Sequence, residues 1–201
     1  MDEKSTKEGV KSASGTRKTL TIAVIIALVL ASLCAIGVYV AKAGAVIVYD
    51  SQSVGSYVAI GEIWTERPVL QELPAPENAD GISLLFATYM RTNEGAVTVR
   101  VTGKDSGAVY AESVFDAAAM ADNSFVDIPF NVKPTVGDTL EISVTSDSEP
   151  GSAVTLWKTE EDSAPDCALL INDAEQEGDL VYRTYHKEFP LFGRRSVETG
   201  S

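Results

Sequence analysis

The chain is poor in the residues that most often perform catalysis or bind metals. It holds one histidine and two cysteines in 201 residues, so it offers no Cys/His cluster with the spacing of a zinc site. It also contains no P-loop, no G-x-G-x-x-G and no G-x-S-x-G motif. His186 lies among charged neighbours, which is typical of a surface histidine. We therefore predict no catalytic residue, no metal ligand and no cofactor, and we expect a protein that is not an enzyme.

The scarcity of cysteine also limits how the chain is stabilised. Cys34 lies within an apolar run and Cys167 lies far along the chain, so we expect no internal disulfide bond. Cys167 is interpreted as a small apolar strand residue, and an intermolecular disulfide is the alternative. A domain of about 145 residues can instead bury enough apolar surface to be stable.

Basic residues are few. The chain has 16 Lys and Arg against 29 Asp and Glu, a formal net charge of −13. Residues 1–18 carry five basic and three acidic groups, which leaves −15 for the rest. Repulsion would oppose the approach of nucleic acid or anionic lipid, so we exclude nucleic acid as a partner. A well-solvated surface is the ordinary explanation of such acidity.

One long uncharged run is present, from Leu20 to Val40. A helix of that length reaches roughly 30 Å, which matches the hydrocarbon core of a bilayer. We predict a transmembrane helix at residues 19–41 after a disordered cytoplasmic tail at 1–18. The alternative is a cleaved signal peptide, since Ala41-Lys42-Ala43 fits a small-residue cleavage pattern, but the apolar core of a signal peptide is shorter.

Basic residues flank this run mainly on its N-terminal side. The positive-inside rule predicts a single-pass protein of the cell membrane, with a cytoplasmic N-terminus and an extracytoplasmic C-terminal domain. The basic residues before the run are Lys4, Lys7, Lys11, Arg17 and Lys18, and only Lys42 follows it closely.

Beyond the run, apolar residues alternate with polar ones, the period expected of antiparallel strands with one face on a core. We predict an all-β, antiparallel, jelly-roll-like sandwich over residues 44–188, with eight to ten strands, followed by a flexible tail at 189–201. Turn signals at Thr92–Gly95 and Gly103–Gly107 predict hairpins. Gln71–Asp80 is expected to be a loop, and the alanines of Asp116–Asp122 one helical turn. The alternating runs begin at Ile82, Val97, Val126, Leu140 and Val154.

The candidate binding residues are aromatic residues of opposite parity, which are those at strand positions that alternate with the core residues and face the other side of the sheet. Trp157, Tyr89 and Tyr185 fall on that parity, and sugars bind to exposed aromatic faces with polar groups close by. Side chains near them in sequence that offer hydrogen bonds are Arg91, Asn93 and Arg183. The alternative is that both faces of these strands are covered and the rings belong to the core.

Two acid-rich segments raise the alternative of a structural Ca²⁺. One runs from Asp116 to Asp127 and the other from Asp147 to Glu149. Neither has the spacing of a known calcium loop, and the turn and capping roles of Asp and Asn explain both.

Three segments between Gly81 and Trp157 carry a resemblance: GISLLFATYMRTN, ADNSFVDIPF and TSDSEPGSAVTLW. They resemble the galactose-binding-like jelly-roll accessory modules of bacterial cell-envelope proteins. The resemblance covers under half of the chain and implies a sandwich fold in a bacterial cell envelope. It transfers no sugar site, because the loops of that fold host unrelated ligands.

From these observations we expect a membrane-anchored, non-catalytic binding module that recognises carbohydrate or another cell-envelope component. The alternative is a structural or assembly subunit whose sandwich packs on a membrane protein such as a polysaccharide-synthesis enzyme. A hydrolase built on a pair of carboxylates is a third hypothesis.

Overall fold

The computed structural model describes residues 21–39, 46–53, 55–161, 164 and 166–188. The predicted tails at 1–18 and 189–201 lie outside these residues. The chain divides into two units, one containing the N-terminal helix and the other comprising Ile47–Lys187.

The helix, α1, spans Thr21–Tyr39 and lies within the predicted membrane span. Its 19 residues are mostly apolar and all are exposed, and their length and composition fit a membrane span or a signal anchor. Its Ser32 hydroxyl donates to the carbonyl of Leu28 over 2.8 Å, so this polar group is satisfied within the helix. Among the described residues it is the one helix long and apolar enough to cross a membrane.

The second unit is built of antiparallel strands in two sheets. In the first sheet the order is β1-β12-β4-β9-β2. β12 and β9 pair with one edge of β4, and β7 pairs with its opposite edge. In the second sheet the order is β11-β10-β3-β8-β5-β6. The strands are β1 Val46–Gln52, β2 Tyr57–Glu62, β3 Val69–Pro74, β4 Gly81–Ala87, β5 Ala96–Gly103, β6 Val109–Asp116, β7 Ser124–Pro129, β8 Thr139–Ser146, β9 Thr155–Thr159, β10 Leu169–Ile171, β11 Ala174–Gln176 and β12 Tyr182–Glu188.

The chain passes repeatedly from one sheet to the other, and each of the three connections between β2 and β5 crosses between the sheets. This connectivity gives the predicted jelly-roll-like sandwich. The predicted hairpin at Gly103–Gly107 joins β5 and β6 as expected. The predicted hairpin at Thr92–Gly95 is wrong, because β4 and β5 lie in different sheets. The predicted helical turn is a 3₁₀ turn at Ala117–Ala119, capped by the Asp116 carboxylate.

The core lies between the sheets and is formed by the alternating apolar residues. Ile82, Leu84 and Phe86 of β4 face it from the first sheet, and the valines of β5 face it from the second. The prediction from period-two alternation is therefore confirmed for these strands. Two further strands contribute through Ile128 of β7 and through Leu140, Ile142 and Val144 of β8.

The predicted loop at Gln71–Asp80 is wrong in its first half, which belongs to β3. β3 pairs with β8 and β10, so its polar residues are covered. The side chain of Gln71 is fully buried and bonded: its amide donates to Asp179 at 2.9 Å and its oxygen accepts from the Leu180 N–H at 2.8 Å. Local polarity therefore hid a central strand.

Candidate aromatic binding face

The outer faces of the two sheets differ in chemistry. On the second sheet the outward positions of β5 and β8 are polar, with Thr98, Arg100, Ser143 and Thr145 in register. This is the ordinary solvated face of an antiparallel sheet. On the first sheet polar residues lie in register across β12, β4 and β7 at Arg183, Ser83 and Asp127. Apolar or aromatic residues occupy other outward positions: Ala59, Leu85, Ala87, Phe125, Trp157 and Tyr185. A candidate binding site therefore lies on the first sheet.

Trp157 of β9 spans this outer face. Its indole N–H donates to the Asn123 side-chain oxygen at 3.0 Å. Asn123 immediately precedes β7, and β7 and β9 lie on opposite sides of β4. The indole must therefore cross the end of β4, which explains why the outward-facing Leu85 is only 8% exposed. Trp157 itself is half-buried, so one part of the ring covers the sheet and another faces solvent.

Arg183 of β12 continues the surface. Its guanidinium stacks on the Tyr49 ring of β1 at 3.5 Å and on the Phe125 ring of β7 at 4.1 Å. It also lies 3.8 Å from the Asp127 carboxylate, which accepts from the Ser83 hydroxyl at 2.6 Å. We call Tyr49, Phe125, Trp157 and Arg183 the aromatic face. Arg183 was predicted to bind ligand, and in the structure it bonds and stacks within the chain.

Tyr185 lies on the outward side of β12, as its parity predicts, but the expectation that it is exposed is wrong. It pairs with Gly81 across the ladder, and its ring lies where a side chain on Gly81 would be. The Tyr49 ring packs edge-on against it, with centroids 6.1 Å apart. Tyr185 is therefore 1% exposed. Burial, and then the charge of Asp127, raise the pKa of Tyr185 to about 12.

Tyr89 and Met90 form an exposed turn directly after β4. Their side chains are 43% and 90% exposed. Both have left-handed backbones, with φ of 58° and 56°, which costs about 1 kcal/mol or more for each residue other than glycine. Left-handed backbones are uncommon for residues with large side chains. Two such residues in succession therefore call for a functional explanation.

Arg91 and Asn93 support this turn from within the chain. Arg91 pairs with Glu62, donates to the Ala153 carbonyl at 3.0 Å, and lies 5.1 Å from the centre of the Tyr89 ring. Asn93 is 0% exposed; it accepts from Arg91 and donates to the Thr88 carbonyl at 3.2 Å. Asn93 was predicted to bind ligand, and in the structure its amide is buried and bonded within the chain.

Asp122 and Asn123 connect this turn to Trp157. One Asp122 oxygen accepts from the Thr88 backbone N–H at 2.6 Å and from the Thr88 hydroxyl at 3.1 Å. The other oxygen accepts from the Asn123 amide at 3.0 Å. The Thr88 backbone N–H foremost, helped by the Thr88 hydroxyl and the Met90 backbone N–H, holds the pKa of Asp122 below its usual value. Two adjacent residues thus bond the backbone on either side of Tyr89 and the indole of Trp157.

Sequence reasoning missed four of these residues as parts of a site: Tyr49, Phe125, Asp122 and Asn123. Phe125 carried a signal, because it falls on the parity opposite Val126 and Ile128. Asp122 and Asn123 were noticed only as an alternative calcium loop. Tyr49 carried no local signal, since its place depends on β1 pairing with the last strand of the chain.

The acidic residues of the two proposed calcium loops have roles in the backbone. The Asp116 carboxylate accepts from Ala118 N–H at 2.9 Å, and that of Asp147 accepts from Ala96 N–H at 2.5 Å. Within the described parts of the chain, three or more potential metal-binding side chains do not come together anywhere. The turn and capping interpretation is the one these bonds favour.

His186 lies near the C-terminal end of β12, in the first sheet, and lines a cleft of about 430 Å³. Its Nδ1 lies 2.6 Å from an Asp50 oxygen. Lys133 lies 3.3 Å from Asp80 in the same cleft, and Asp80 also accepts from the Lys187 N–H at 2.8 Å. Asp50 and Asp80 thus each have a partner in this cleft, and Glu77 and Lys187 also line it. Such a mixture of charged side chains is typical of a solvated surface.

Comparison with known proteins adds no assignment to this geometry. No protein-family model matches the chain, and no curated protein matches it. The structure itself defines an antiparallel β-sandwich that follows one apolar helix.

Proposed function

We propose that the chain is a membrane-anchored, non-catalytic binding module whose aromatic face recognises carbohydrate of the cell envelope. The helix α1 crosses the membrane once, with the N-terminus in the cytoplasm and the sandwich outside. The observation that carries the proposal is the indole of Trp157, held across the outer face of β4 by its bond to Asn123.

An indole held in this way suits a sugar ring. The C–H groups of a pyranose pack on an aromatic face, and its hydroxyls bind polar groups at the edge of the ring. Asn123 and Asp122 lie at the indole edge, and Ser83 and Asp127 lie beside the Arg183 stack. The ring is fixed before binding, so little side-chain entropy is lost when a ligand packs on it.

The charges on this face favour a neutral sugar. Arg183 lies near Asp127, and Arg91 is paired with Glu62. These two cations are each accompanied by a carboxylate of the chain, and the residues after the first 18 carry a net charge of −15. An acidic polysaccharide would meet net repulsion, whereas a neutral one would not.

We expect Trp157→Ala to weaken binding of neutral oligosaccharides at least about tenfold, because the packing surface is lost. The full chain in detergent micelles is titrated with a panel of neutral oligosaccharides by calorimetry. Asn123→Ala, which leaves the indole in place without its anchor, should weaken binding by a smaller factor.

The matched control is Trp64→Ala, which removes the other indole of the chain. Trp64 lies between β2 and β3, near Arg67 at 5.6 Å, and not on the aromatic face. Equal losses from Trp64→Ala and Trp157→Ala would contradict the proposal, as would a wild-type chain that binds no oligosaccharide of the panel.

The second candidate is an assembly subunit whose aromatic face packs on a membrane protein. Its specific support is the composition of that face, since Trp, Tyr and Arg are the residues enriched at the energetic centres of protein interfaces. Here Trp157→Ala would release a co-purifying membrane protein from detergent extracts while oligosaccharide binding is absent from the wild type.

A further inference from the structure

The turn at Tyr89 and Met90 holds two large side chains in solvent at an energetic cost to the backbone. Both residues are left-handed, and Met90 is 90% exposed. Glycine or asparagine would fill these positions without that cost. The Tyr89 ring contacts the Arg91 guanidinium at 5.1 Å but is still 43% exposed, so the turn presents both side chains to solvent.

The turn is held rigid by groups that the fold places beneath it. Asp122 accepts from the N–H and the hydroxyl of Thr88 and from the N–H of Met90. Buried Asn93 donates to the Thr88 carbonyl, and the Arg91 N–H donates to the same oxygen at 3.3 Å. These bonds compensate the left-handed backbone and fix the direction of both side chains.

The same support reaches Trp157. Asn123, adjacent to Asp122, accepts from the Trp157 indole N–H, and its amide donates to Asp122. Tyr89 follows Thr88, and Trp157 comes from a different strand, β9. Two separate contact surfaces are thus held in one arrangement by two neighbouring residues.

We propose that the Tyr89–Met90 turn is the second contact surface of the carbohydrate site, and that the site binds an extended chain of several sugar units rather than a single sugar. This inference rests on the proposed function. The unit on Trp157 supplies the first contact, and units further along the chain pack on Tyr89 and Met90. Asp122 and Asn123 are positioning residues that hold the two surfaces together.

The test is the double variant Tyr89→Asn, Met90→Gly, in the full chain in detergent micelles. Both new residues adopt left-handed backbones readily, which offsets the loss of the Arg91 contact with the Tyr89 ring, so the variant should fold with a melting temperature close to that of the wild type. Affinity for a neutral hexasaccharide of the series that the wild type binds should fall about tenfold. Affinity for the monosaccharide of that series, which needs only Trp157, should stay the same.

The control is Asn78→Gly, since Asn78 also has a left-handed backbone, with φ of 60°, but lies before β4. It should leave the affinity for the hexasaccharide unchanged. If the double variant does not fold, Met90→Gly alone supplies the comparison, with an intermediate loss of affinity. A double variant that folds and binds the hexasaccharide as tightly as the wild type overturns the inference while the proposed function stands. A wild type that binds no oligosaccharide overturns the proposed function, and this inference with it.

Discussion

At the scale of single residues, the pairing of Gly81 with Tyr185 decides how the first sheet is covered. The Tyr185 ring can pack against β4 only because the position opposite it has no side chain. Because Gly81 is that position, Tyr185 is buried on a face that its parity assigns to solvent. The Tyr49 ring then packs on it, which brings β1 onto the sheet.

The raised pKa of Tyr185 gives a test of this burial. In the folded chain the pKa is about 12, so the folded state keeps a proton that the unfolded state releases near pH 10. Stability is therefore full below about pH 10 and falls as the pH rises toward about 12. We expect Tyr185→Phe to flatten this decline. A pKa difference of about two units limits the loss of stability to about 3 kcal/mol.

The measurement is urea unfolding of the wild type and the variant at several alkaline pH values. Tyr182 also has a pKa raised by burial, so the double variant Tyr185→Phe, Tyr182→Phe should flatten the curve further. An identical alkaline decline in the wild type and Tyr185→Phe would show that the Tyr185 ring is solvated.

Single residues also show where prediction from sequence succeeds. Parity placed Trp157 on the outward face correctly, because alternation is a local property of a strand. Parity also placed Tyr185 on that face but did not predict its burial, which depends on a glycine more than 100 positions away in the chain. Asn93 suggested a ligand contact by its closeness in sequence to the aromatic residues, and in the structure its amide satisfies a buried carbonyl.

At the scale of strands, the stack around Arg183 joins three strands that lie far apart in the sequence. Arg183 of β12 stacks between Tyr49 of β1 and Phe125 of β7. Pairing between the first and last strands of the sandwich could not be predicted from local patterns, and neither could the buried strand β3. The alternation of β4, β5 and β8 could be predicted, because each strand carries its own period.

We expect Arg183→Ala to lower the free energy of unfolding by about 1–2 kcal/mol, because it removes two cation–π contacts that are largely shielded from water. Amide hydrogen exchange in β1 should become faster, since Tyr49 loses its partner. Arg183→Lys keeps the charge but not the planar group that stacks, so it should recover only part of the protection.

Arg100→Ala is the control for this prediction. Arg100 pairs with Glu112 at 2.9 Å on the exposed face of the second sheet, where an ion pair contributes little. Its loss should change stability by less than about 0.5 kcal/mol and leave exchange in β1 unchanged. Equal effects of the two substitutions would contradict a structural role for the stack.

At the scale of the whole molecule, an uncharged helix and a strongly acidic sandwich occupy one chain. The 19 residues of α1 span about 28 Å, close to the thickness of a hydrocarbon core. The proposed orientation follows from the basic residues before the helix. Under the proposed function, the net negative charge of the sandwich would oppose its adhesion to anionic lipid.

We expect the double variant Leu30→Lys, Leu33→Lys to release the chain from the membrane. A charge near the centre of a spanning helix costs about 3 kcal/mol for each residue, and both side chains lie in the middle of α1. Alkaline carbonate extraction should leave the wild type in the membrane pellet and move the variant to the supernatant. Protease added to intact spheroplasts should digest the wild-type sandwich, which the proposed orientation places outside.

The matched control adds the same two charges to the sandwich. Val114 and Val136 are exposed, so Val114→Lys, Val136→Lys should leave the chain in the pellet. If both double variants stay in the pellet, the chain is held at the membrane by something other than α1. If the wild type is extracted, α1 does not anchor the domain. If the sandwich resists the protease, the domain does not lie outside the cell, and carbohydrate there is not its ligand.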